Sequence, residues 1–123
     1  MSPAREFVDY VKDILDAIEK AAQFTEGMDG ERFRSDQKTV FAVIRALEVI
    51  GEAVKNIPAA IRGQYPHVPW REIAGIRDKL IHEYFGADVE VIWKTAQVDL
   101  PLLKPIMEQI LSQLTRSDKR STG

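Results

Sequence analysis

Two side chains in this chain of 123 residues are suited to chemistry and lie close together, Arg77 and His82. A histidine titrates near neutrality. It can take a proton from a ribose 2'-hydroxyl or give one to a leaving 5' oxygen. A guanidinium grips phosphate oxygens in a fork and offsets charge that develops on phosphorus. The pair therefore suits cleavage of an RNA phosphodiester, and neither role requires a metal. Arg77 falls within the apolar arc of Ile73, Ile76, Leu80 and Tyr84. An arginine there is costly unless it is paired or placed at an interface. His82 lies five positions on, about 140° round an ideal helix, so within one copy the two side chains project in different directions. They converge if the helix loosens toward Gly86, or if a two-fold axis joins two copies. A position near a helix C-terminus favours the protonated imidazole. The same two residues also fit a plainer account, an interface histidine and a salt-bridged arginine.

Other charged and aromatic residues admit a functional and a structural reading. Lys38, Arg45, Glu48 and Glu52 form either the wall of a cleft or a solvated face with pairs one turn apart. Arg45 and Lys79 are the candidate phosphate contacts. Asp78 and Glu83 flank the motif and either orient His82, pair with Arg77 or remain surface charges. His67, bracketed by two prolines, reads as structural or simply exposed. Trp70 and Trp93 read as core or interface packing before base-stacking platforms. Glu48 and Glu52 are a one-turn carboxylate pair, but helical-bundle metal sites also need a Glu-x-x-His element. No metal and no cofactor is expected.

Composition sets the outer limits. Apolar residues make up 45% and charged residues 29% of the chain, the balance of a globular protein. The absence of cysteine excludes disulfides, thiolate metal sites and a thiol nucleophile. Seventeen basic side chains stand against 19 acidic ones, a net charge of -2. A general basic field for nucleic acid is therefore missing, and RNA contact must be local or built by dimerisation. Nothing in the N-terminal run reads as an export leader and no apolar run is long enough for a membrane span. The cytoplasm is the expected compartment.

The elements that must position the site read as helices. Ser2 caps and Pro3 opens a first helix, with Phe7, Val11, Ile14, Leu15, Ile18, Ala21 and Ala22 on one face. It stops near Thr25–Gly27, and Gly27 and Gly30 supply positive φ in a connector. Glu31–Ser35 forms a helical turn. Ser35 or Asp36 then caps a long helix to about Asn56, with Val40, Val43, Ile44, Leu47, Ile50 and Val54 in its apolar arc. Gly51 sits at the edge of that arc and suits a close helix–helix approach. Pro58–Arg62 reads as a short helical turn, and Tyr65–Trp70 as a rigid connector. The next helix runs from Pro69 through Trp70, Ile73, Ile76, Leu80, Ile81 and Phe85 to Gly86. Asp88 caps a further helix from Val89 to Leu114. There, Pro101 and Pro105 either kink it, or Asp99 starts a new one. Residues 1–115 form one all-α domain, a four- to five-helix up-and-down bundle. Residues 116–123 form a polar, disordered tail.

The run Arg77, four residues, His82, one residue, Tyr84 resembles the signature of HEPN-domain proteins, specifically the HepT-like toxins. FTEGMDGERFRSD, VIRALEVIGEAVKNIP and YPHVPWREIAGIRDKLIHEYFGADVEVIWKTAQVDLPLLK are similar to that family in order and spacing, over roughly residues 6–111. The resemblance implies a HEPN-type helical homodimer with a metal-independent ribonuclease site at its interface, acting on tRNA or mRNA. Arg77 and His82 would be catalytic. It also implies an MNT-type nucleotidyltransferase antitoxin as partner, which in some pairs attaches AMP to the tyrosine at the position of Tyr84. Such an anionic adduct two residues from His82 would block the RNA path. The rival reading is a non-catalytic dimerisation module that binds the nucleotidyltransferase. A small-ligand-binding bundle has no positive feature in its favour.

Overall fold

The structure, a computed structural model, describes residues 3–76 and 89–122, with side chains for 7–76 and 89–116. Every regular element among the described residues is helical. In order they are α1 (Pro3–Phe24), α2 (Gly30–Ser35), α3 (Gln37–Lys55), α4 (Ala59–Arg62), α5 (Trp70–Ala74), α6 (Val89–Lys94), a π-helical turn (Thr95–Asp99) and α7 (Leu100–Thr122). The bundle is all-α, as expected.

α1 pairs chiefly with α3 and α7. The reason is the apolar stripe each carries at helical spacing. Val11, Ile14, Ala17, Ile18 and Ala21 of α1 are buried against Val43, Leu47, Ile50 and Val54 of α3 and Leu103, Met107 and Ile110 of α7, in one core. Each fully buried Ile, Leu or Met contributes about 1.5–3 kcal/mol by leaving water. The six-residue α2 is too short to stand alone. It is held by Phe33, 0% exposed, whose ring lies 5.0 Å from that of Trp93, and by Asp29, which accepts from the Arg32 amide at 2.8 Å.

Boundaries follow capping chemistry. Pro3 is the first helical residue of α1, while the Ser2 cap lies outside the described residues. Of the two candidate caps for α3 the structure selects Asp36, whose carboxylate accepts from the Thr39 amide at 3.2 Å and the Thr39 hydroxyl at 2.8 Å. Gly27 takes φ 76°, as the connector requires. Gly30 does not: it opens α2, and a Cβ there would lie 3.4 Å from Trp93 Nε1, so its smallness serves a close contact.

Two expectations about continuity change. The single helix from Pro69 to Gly86 is interrupted: α5 stops at Ala74, Gly75 forms its C-cap, and Ile76 is again helical. Gly75 donates its amide to the Arg71 carbonyl at 3.0 Å and keeps right-handed backbone at φ -83°, so the interruption is not a left-handed glycine cap. The Leu80–Phe85 stretch, the Gly86 end and the Asp88 cap lie outside the described residues. Further on, the chain neither breaks at Asp99 nor starts afresh. α6 runs into a π turn and then into α7, with Leu100 donating its amide to the Thr95 carbonyl. Pro101 has no amide hydrogen and its ring needs room beside the carbonyl four residues back. A wider turn before it meets both needs. α7 carries helical backbone through Thr122, where the sequence reads as a polar tail.

Candidate functional site

The motif residues Arg77, Asp78, Lys79, His82, Glu83, Tyr84 lie outside the described residues. The structure does define the platform from which they depart. α5 is fixed at its start by Trp70, which is 8% exposed. Its indole Nε1 donates to the carbonyls of Arg62 at 3.1 Å and Tyr65 at 3.0 Å, and its amide to Val68 at 2.8 Å. Those bonds tie α5 to the α4 turn and to the proline-bracketed connector. At its other end α5 presses on α3 at Gly51. A Cβ at Gly51 would lie 3.0 Å from Ile76 Cγ2, 3.3 Å from the Ile73 carbonyl and 3.7 Å from the Ala74 carbonyl. The sequence indicates a close approach at Gly51. Its partner, the end of α5, becomes visible only in three dimensions.

A cleft of about 360 Å³ lies between α1 and α3, lined by Tyr10, Asp13, Arg45, Glu48, Glu52 and Asn56, with Val49 and Ala53. The predicted polar stripe of α3 thus forms a cleft wall at Arg45, Glu48 and Glu52, while Lys38 is exposed elsewhere on the helix. Tyr10 and Asp13 were not singled out in the sequence. They sit one turn apart on α1, and Asp13 belongs to the acidic face opposite its apolar stripe, a signal too common to select a site residue.

The electrostatics of the cleft are acidic. Among the described residues Asp13, Glu48 and Glu52 share the cleft with one cation, Arg45. Arg45 pairs with Glu48 at 3.9 Å, and its side chain is 74% exposed, so the pair is weak and solvent-screened. A phosphate held at Arg45 alone would meet three carboxylates, and a second cationic group is needed to make this a polyanion site. Asn56 closes the end of α3, its side-chain amide donating to the Glu52 carbonyl at 3.0 Å.

The remaining predicted residues behave structurally. Trp70 is buried and Trp93 half-buried against Phe33, both in packing positions. His67 is exposed, its ring 6.4 Å from that of Tyr65. A second cavity of about 340 Å³ lies between the α4 region and α7. Tyr65 donates its hydroxyl to Gln113 there, and burial pushes that phenol above its ordinary range. Among the described residues no group of three or more His, Cys, Asp or Glu side chains is placed to hold a metal ion. No helix among them is long and apolar enough to cross a membrane.

The fold and platform define an all-α bundle in which a short, doubly anchored helix launches a segment bearing arginine, histidine and tyrosine. The model of the ribonuclease HepT-like family matches residues 14–110. The chain is 54% identical over 106 residues to a protein of Thermococcus cleftensis named as a probable ribonuclease HepT, covering 86% of this chain and 96% of that one. It is 44% identical over 119 residues to a candidate RNase of Methanocaldococcus jannaschii, covering 97% and 98% of the two chains. It is 43% identical over 104 residues to a candidate RNase of Caldanaerobacter subterraneus, covering 85% and 93%. No solved structure matches the chain significantly. The chain belongs to the ribonuclease HepT-like family.

Proposed function

We propose that this protein is the toxin of a HEPN/MNT-type toxin–antitoxin pair, a metal-independent ribonuclease that acts as a homodimer in the cytoplasm. The observation that carries the reading is the Arg77-x4-His82-x-Tyr84 run inside a chain of the ribonuclease HepT-like family. In this reading His82 removes the proton of a ribose 2'-hydroxyl. The 2' oxygen attacks phosphorus, a P–O2' bond forms and the P–O5' bond breaks. The 5' oxygen leaves with a proton from the second copy's imidazolium or from water, and a 2',3'-cyclic phosphate results. Arg77 holds the non-bridging oxygens and offsets their growing charge.

Two copies place two sets of Arg77 and Lys79 at one axis, a local basic cleft despite the net charge of -2. Arg45 joins it as a phosphate contact where those cations outweigh the surrounding carboxylates. Asp78 or Glu83 orients His82. The partner is an MNT-type nucleotidyltransferase antitoxin, and Tyr84 is the residue it would modify with AMP.

The test is cleavage of total cellular RNA in excess EDTA by the purified protein beside His82→Ala and Arg77→Ala. The reading expects fragments ending in 2',3'-cyclic phosphate from the wild type only, with all three proteins folded and dimeric. Equal background from all three, with no AMP adduct on Tyr84 by intact mass, refutes it in favour of the non-catalytic module.

A further inference from the structure

Gly51 stands inside α3, one turn before its end at Lys55, where alanine would favour the helix by about 1 kcal/mol. Helix propensity alone therefore argues for another residue. The packing argues for glycine, because α5 meets α3 there through backbone. The Ile73 and Ala74 carbonyls would lie 3.3 and 3.7 Å from a Cβ at residue 51, and Ile76 Cγ2 would lie 3.0 Å from it. A carbonyl against a helix backbone has no rotamer with which to yield. The contact therefore fixes where the chain stands at Ile76, one covalent step before Arg77. At the other end of α5 the Trp70 indole is held by two carbonyls. Five residues gripped at both ends make a rigid mount. The cleft-lining Glu52 is the next residue of α3, so the mount and the cleft wall share one stretch of helix.

We propose that Gly51 is a positioning residue for RNA cleavage: by admitting the backbone of Ile73–Ala74 and the side chain of Ile76 against α3, it sets the departure point of the segment that carries Arg77 and His82. The inference rests on the catalytic reading of those two residues. Gly51→Ala pushes the end of α5 outward by a few tenths of an ångström. Catalysis by positioned groups falls steeply with such displacements.

The experiment measures kcat and KM on a defined RNA for the wild type, Gly51→Ala, Ile76→Leu and the double variant, with His82→Ala as the inactive reference. Ile76→Leu removes the methyl that Gly51→Ala would strike and keeps side-chain volume. The expected result is a kcat about tenfold lower for Gly51→Ala, with KM unchanged and circular dichroism and dimer intact. The double variant should recover part of the loss. If Gly51→Ala does not fold, the double variant is read against Ile76→Leu alone, and a lower kcat supports the inference. Equal kcat for Gly51→Ala and the wild type, or for the double variant and Ile76→Leu where Gly51→Ala does not fold, overturns it while leaving the ribonuclease reading intact. A wild type no more active than His82→Ala overturns both.

Discussion

Replacing Trp70 with phenylalanine tests the mount directly. Trp70 is 8% exposed, and its indole Nε1 donates to the Arg62 and Tyr65 carbonyls. Those carbonyls also accept from the amides of Tyr65 at 3.0 Å and Val68 at 3.1 Å. Trp70→Phe therefore removes a donor without orphaning an acceptor, and the hydrogen-bond loss is about 1 kcal/mol. Two buried ring carbons disappear as well, at about 0.8 kcal/mol each. The expected destabilisation is about 2.5 kcal/mol, which lowers Tm by roughly 10 °C for a domain of this size. Urea unfolding followed by circular dichroism at several protein concentrations measures it, separating chain stability from association. Trp93→Phe is the control: Trp93 is half-buried and should cost less. A Trp70→Phe loss under about 0.5 kcal/mol, or a larger loss at Trp93, would refute the view that the indole anchors α5.

Three further outcomes are expected. Thr39 hydrogen bonds hold the Asp36 carboxyl below its ordinary value of 3.8, so its stabilisation is present above that value and is lost as pH falls through the lower folded value. The stability difference between wild type and Asp36→Ala should therefore be constant at neutral pH and shrink below about pH 4; a difference independent of pH would refute the capping role. Gly27→Ala, at φ 76° with nothing within 4 Å of the added Cβ, should lower stability by about 1 kcal/mol through backbone strain alone, measured by urea unfolding. Arg34 and Glu90 form an ion pair that raises the Arg34 pKa, yet both side chains are about half exposed. Glu90→Gln should therefore shift Tm far less than Trp70→Phe, and any effect should fade with added salt.

Much of the architecture was legible one helix at a time. Residues within a helix share one rigid geometry, so period and caps report directly on it. The spacing of Val43, Leu47, Ile50 and Val54 announced the buried face of α3, and all four are buried. The Pro3 start and a cap at Ser35 or Asp36 followed from the same local chemistry. Gly51 announced a close approach for the same reason. The motif at Arg77, His82 and Tyr84 is a property of the sequence, and so is the likeness that the family match supports.

What crosses between helices had no such signature. Nothing in the spacing said that Gly51 meets the carbonyls of Ile73 and Ala74, or that the helix expected from Pro69 to Gly86 would stop at Ala74. The alternatives at Pro101 were resolved by a wide π turn, because the buried positions on both sides of the proline had to face one core. Arg45 looked like a cation on a polar stripe until α1 brought Asp13 to the same cleft. Periodicity fixes which face of a helix is buried. Which residues meet across that face depends on how separate helices pack, and only the tertiary structure decides that.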